Sequence, residues 1–178
     1  MTGVGFAPCR PEDREKLIGL LERVEDIPGT ALHEGMTWAW TTFPEYLDFL
    51  DTLPTACDFL AMACHVPIRV HVMGDRAEKT ATPEELAAMR ALVAEAVDAG
   101  AVGLSTTRTL LHRDLEGTVV PGTYADRLEL TELMAGLAQG GGGLFEMAQD
   151  FASHEVEMDW ITTLSAAFGV PVRRVLFH

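Results

Sequence analysis

Apolar positions along the chain follow two rhythms, a helical repeat and short continuous runs. Behind Thr82, Pro83 and Glu85, the residues Leu86, Met89, Leu92, Val93, Ala96 and Val97 recur at helical spacing. Thr82 and Glu85 form a capping box, Pro83 suits the first helical position, and Gly100 supplies the stop. A short apolar run, Ala101 to Thr106, follows at once and reads as a buried strand. The unit then recurs. Asp126 opens a helix carrying Leu130, Leu133, Met134 and Leu137, and Leu144 to Met147 reads as the next strand. Ser153 opens another helix with Val156, Trp160, Ile161 and Leu164 on one face, and Val170 to Phe177 reads as a further strand. Upstream, residues 11–24 and 44–53 have helical spacing, whereas 59–64 and 68–73 read as extended.

Strands alternating with capped helices predict an α/β fold with parallel strands, whose C-terminal ends share one edge. No low-complexity linker divides the chain, so residues 1–178 read as a single domain. The Gly140–Gly143 tract is too short for a flexible linker and predicts close helix–strand approach. Trp38 and Trp40 would share a side if extended, which predicts packing or a pocket wall.

Composition narrows the function. The formal net charge is −14, which repels phosphate backbones and anionic lipid heads, so neither nucleic acid nor a membrane surface is an expected partner. No apolar run is long enough to span a bilayer. Three cysteines without a CxxC spacing argue against a disulfide framework or zinc knuckle. With no signal-peptide pattern at the start, the expected location is cytoplasmic.

The shared strand edge collects the candidate chemistry. Cys64, His65 and Arg69 come at the end of one strand, Ser105, Thr106 and Arg108 at the end of the next, and Glu146, Gln149 and Asp150 at the end of the third, with His154 on the following helix's first turn. His178 closes the chain. Glu146 inside an apolar strand needs a partner, a wet face or a function, because an unpaired buried carboxylate costs several kcal/mol. Glu146 and Arg108 are therefore the catalytic candidates, Ser105, Thr106 and His65 the substrate-binding ones, and His65, Asp150 and His178 the candidate metal ligands. Other motifs fail. His154-Glu155 lacks a second His at Met158, Gly3 and Gly5 lack the rest of a dinucleotide fingerprint, and Ser105 lacks a G-x-S-x-G elbow.

Several blocks resemble the N-acyl-D-amino-acid deacylase (D-aminoacylase) branch of the amidohydrolase superfamily. They are GVGFAPCRPEDRE, IPGTALHEGMTWAW with FPEYLD, CHVPIRVHVMG, AGAVGLSTTRTL and PGTYADRLEL, and their order agrees with that branch. The resemblance implies a (β/α)8 TIM barrel in which zinc activates a water to hydrolyse the amide of N-acyl amino acids. A closed barrel needs about 250 residues, so 178 predict a partial one, with about four to five βα units. On the resemblance, the HxH ligands would precede residue 1 and the catalytic Asp would lie beyond residue 178. Met1-Thr2 stand at the bridging Cys, no His stands near Glu146 to Ala148, and His178 is offset from the sixth-strand His.

Two readings follow. In the first, the chain is part of an amidohydrolase barrel that alone lacks amidase activity and binds zinc weakly or not at all. In the second, it is a non-catalytic truncated paralogue serving as a binding or oligomerisation module. Open sheet edges invite pairing, so a homo-oligomer or a complex with the missing barrel half is expected. A small independent α/β enzyme built around Glu146 and Arg108 is a third reading.

Overall fold

The computed structural model describes residues 3–150 and 154–177. Four strands, β1 (Ala63–Cys64), β2 (Gly103–Arg108), β3 (Leu144–Asp150) and β4 (Val172–Phe177), form one sheet in sequence order. Every pairing is parallel, so each crossover carries a helix. Those helices are α4 (His65–Met73) and α5 (Pro83–Asp98) between β1 and β2, α6 (Arg127–Gln139), and α7 (His154–Phe168). Before the sheet come α1 (Arg14–Glu25), α2 (Gly29–Gly35) and α3 (Phe43–Asp51). Parallel strands in sequence order, alternating with helices, give an α/β architecture consistent with part of a (β/α)8 barrel.

Local chemistry explains most boundaries. Thr82 and Glu85 close the predicted capping box on α5, and Thr42 with Glu45 closes another on α3. Asp126 caps α6 by accepting from the Glu129 amide. Glycine allows α5, α6 and the sheet to approach: a Cβ at Gly136 would lie 2.5 Å from the Arg90 carbonyl oxygen, and one at Gly103 only 2.0 Å from that of Leu144. Within the glycine tract, a Cβ at Gly140 would lie 2.6 Å from the Ala94 carbonyl oxygen and one at Gly143 2.8 Å from that of Val102, so these two serve close packing, whereas Gly141 and Gly142 face open space.

Three expectations change. Residues 68–73 are helical, within α4, because His65, Val66, Pro67, Ile68, Arg69, Val70 and Met73 are all buried. A short run buried on every side has no periodicity to tell helix from strand. The strand expected over 59–64 shrinks to Ala63–Cys64, and Phe59 and Leu60 are exposed. Helix α2 was not expected at all. Ser153 and His178 lie outside the described residues.

Leu104, Leu130, Leu133, Leu137, Phe145 and Met147 are fully buried in a core between sheet and helices. Trp38 and Trp40 belong to the same core, with ring centroids 5.6 Å apart and Trp40 donating to the Phe6 carbonyl at 2.9 Å. They pack rather than line an open site. Among the described residues, no helix is long and apolar enough to cross a membrane.

Candidate functional site

Register decides which candidates can meet. Paired residues share a face of a parallel sheet and successive residues alternate. Cys64 pairs with Ser105, Ser105 with Glu146, and Glu146 with Arg173, so these four form one row on one face. Thr106 and Arg108 fall on the other face, where they bond to His65 of α4 and Glu157 of α7. Helices surround a (β/α)8 barrel from outside, so the Cys64–Ser105–Glu146–Arg173 row is on the inner face.

The inner row is polar and closely bonded. The Ser105 hydroxyl donates to the Cys64 sulfur at 3.4 Å and accepts from the Gly3 amide at 3.0 Å. Gly3 has a φ of +81°, and a Cβ there would lie 2.5 Å from the Thr107 amide nitrogen, so only glycine brings this segment onto β2. Glu146, 7% exposed, pairs with Arg173 at 3.1 Å. That pairing supplies the partner its burial requires. Burial pushes the Cys64 thiol up to about 11 despite the Ser105 hydrogen bond, which keeps it a thiol at neutral pH.

The outer face carries a second constellation. His65 Nδ1 lies 2.8 Å from the Thr106 hydroxyl and its Nε2 2.7 Å from Glu129 Oε1. Arg69, one helical turn on, donates through Nη1 to both Glu129 oxygens at 2.5 and 2.6 Å. The rest of its guanidinium donates to the carbonyls of Ala77, at 2.7 Å, and Lys79. Burial alone would raise the Glu129 carboxyl, but the His65 hydrogen bond and the charges of His65 and Arg69 hold it below its ordinary value. A cavity of about 310 Å³ opens beside this cluster, lined by Arg69, Lys79, Glu129 and the Thr118–Asp126 segment.

The structure thus separates the candidates. Ser105 and Glu146 adjoin on the inner face, whereas His65, Thr106 and Arg108 fix helices to the outer one. Both ring nitrogens of His65 are engaged, which leaves it no free lone pair for a metal. Asp150 accepts from the Thr109 hydroxyl at 2.5 Å and the Leu110 amide at 2.9 Å, anchoring the loop after β2. Among the described residues no group of three or more His, Cys, Asp or Glu side chains converges to hold a metal. These residues therefore do not fit the zinc site that the resemblance implies. Glu129 was not among the candidates, although it is the glutamate of the PGTYADRLEL block. The spacing of His65 and Arg69 points to a shared face once α4 is known to be helical.

The sequence model described as “Amidohydrolase family” matches residues 2–177. A D-aminoacylase from Alcaligenes xylosoxydans xylosoxydans is 33% identical over 129 residues, covering 72% of this chain and 25% of that protein. An N-acyl-D-aspartate deacylase from the same organism is 43% identical over 67 residues, 38% of this chain and 13% of that one. Among solved structures, the N-acyl-D-glutamate deacylase from Bordetella bronchiseptica, complexed with zinc and a phosphonate mimic of the tetrahedral intermediate, superposes with a TM-score of 0.59. The match has 22% identity and covers 75% of this chain and 26% of that one, so it bears on fold alone. The chain spans about a quarter of the D-aminoacylase and of the Bordetella enzyme.

Proposed function

The chain belongs to the amidohydrolase family, and from that premise we propose that it forms one wall of a barrel that hydrolyses the amide of N-acyl-D-amino acids. The observation that carries this reading is the in-register inner row Cys64–Ser105–Glu146–Arg173. A parallel sheet backed by helices normally buries apolar side chains on both faces. Here the face away from the helices carries a thiol, a hydroxyl and an ion pair instead. In this reading Glu146 is the residue placed toward substrate, with Arg173 holding its carboxylate in position, and Ser105, buried beneath Gly3, ties the row together. His65, Thr106 and Arg108 act behind the wall by fixing the helices. The described residues offer zinc no ligand set, so the chemistry that activates water comes from outside them.

The remainder of the site would come from another part of the barrel. Among the described residues β1 pairs only with β2, and beside it lies an apolar groove of about 500 Å³ lined by Val4, Phe6, Tyr46, Phe59 and Leu60 among others. Phe59 is 46% and Leu60 79% exposed. An open strand edge beside exposed apolar residues supports pairing with a further barrel segment or a second copy. The same feature favours the alternative reading of a binding or oligomerisation module. Three free cysteines agree with a reducing cytoplasm.

Substituting this chain for the matching segment of the Alcaligenes D-aminoacylase tests the proposal. The expected chimera releases amino acid from N-acetyl-D-substrates, and Ser105→Ala and Glu146→Gln each lower its turnover. A chimera that unfolds cooperatively yet hydrolyses nothing would overturn the assignment.

A further inference from the structure

The loop from β2 to α6, residues 109–126, leaves the strand edge, reaches α1 and returns. Its two limbs are held differently. On the outward limb Asp150 ties Thr109 and Leu110, and Leu110, Leu111 and Leu115 are exposed. At the far point a Cβ on Gly19 of α1 would lie 3.8 Å from Leu115. The return limb, from Val120 to Asp126, sits on the outer constellation. A Cβ at Gly122, whose φ is +90°, would lie 2.8 Å from the His65 ring. Arg108 donates to the Ala125 carbonyl at 2.8 Å, and Asp126 caps α6 three residues before Glu129.

One carboxylate therefore organises four segments. Glu129 receives His65 and Arg69 from α4. Arg69 in turn fixes the carbonyls of Ala77 and Lys79, and the far side of the His65 ring is held by Thr106 of β2. The His65 ring is the floor on which Gly122 rests. The orientation of that ring is set by two hydrogen bonds on opposite nitrogens, so losing either one frees it to turn.

We propose that Glu129 is a positioning residue: by fixing the His65 ring under Gly122 it holds the return limb of the 109–126 loop at the strand edge. Among the described residues the Glu129 carboxylate bonds to His65 and Arg69 of α4 and to no inner-face group, so it acts through His65 and the loop. That the loop borders a substrate rests on the deacylase reading, whereas its holding by Glu129 does not.

Amide hydrogen exchange of the full chain, with imidazole N–H resonances in the same samples, tests the holding without any activity. In the wild type, the His65 Nε2 proton should exchange slowly, and the amides of Val120, Thr123 and Ala125, which donate to the carbonyls of His112, Val120 and Gly122, should be protected; these are the 120–125 amides followed below. Glu129→Leu, which removes the acceptor of that proton, should abolish its slow exchange and speed exchange at 120–125 by roughly tenfold or more, the factor given by about 1.4 kcal/mol. Exchange within α5 should change far less. Gly122→Ala leaves the Glu129 side chain itself unaltered while placing a methyl against the His65 ring, and keeps the test open if the first variant does not fold. It should keep the slow His65 proton, shift its frequency, and speed exchange at 120–125. Unchanged 120–125 exchange in a folded Glu129→Leu protein would overturn the proposal. So would an equal rise across α5, or a Gly122→Ala protein with wild-type loop protection and His65 signal.

Discussion

Arg69 and Glu129 meet through one guanidinium nitrogen at 2.5 and 2.6 Å, with both side chains only 4% exposed. A buried pair of this kind is a weak net stabiliser, because desolvating both charges offsets much of their attraction. Removing one partner is another matter. Arg69→Met or Glu129→Leu alone should lower unfolding free energy by about 3–5 kcal/mol, since each leaves an uncompensated buried charge. The double substitution should recover most of that loss. Urea denaturation of the three variants measures it, and additive losses would show that the two side chains act independently.

Acid should dismantle the same cluster. The folded-state Glu129 carboxyl is held below its ordinary value of 4.5, so its contribution is fully present above that value. It is lost as pH falls through the lower, folded-state value. Stability measured against pH should therefore decline steeply below about 4.5 in the wild type. The Glu129→Gln variant should show a shallower decline over the same window.

Thiol accessibility should sort the three cysteines. Burial pushes Cys9 up to about 12 and Cys64 up to about 11, whereas Cys57 is exposed. A thiol reagent at neutral pH should modify Cys57 quickly and the other two only after denaturation. Fast modification of Cys64 in the native protein would mean that the inner face opens more than the structure indicates.

The β1 edge should govern self-association. Replacing Phe59 and Leu60 by Asp places charge on the open groove without disturbing the core, because both side chains are exposed. Sedimentation at micromolar concentration should show the wild type associating and the double variant monomeric. A monomeric wild type would remove the support that this edge gives to partner binding.

The sequence displays the sheet more clearly than the site. Strands β2, β3 and β4 and helices α5 and α6 are legible because Thr82, Asp126, Gly100 and the glycine tract punctuate apolar runs at the right lengths. Helix α4 is not, because burial on all sides erases its period and Pro67 in its first turn mimics a break. That loss carried into the site. Nearness to strand ends groups His65, Thr106 and Arg108 with Ser105 and Glu146, but alternation puts the two sets on opposite faces. Register and face are tertiary facts, which local spacing does not contain. Glu129 stayed hidden for a related reason: its partners His65 and Arg69 lie 60 or more residues away.

Zinc content and turnover of the purified 178-residue chain, assayed together against N-acetyl-D-amino acids, test the central claim most directly. On the proposed reading, this chain supplies only the inner wall of a deacylase barrel, and the metal ligands lie outside the described residues. The expected result is zinc well below one ion per chain and no D-selective hydrolysis by the chain alone. Stoichiometric zinc accompanied by turnover of an N-acetyl-D-amino acid would contradict it.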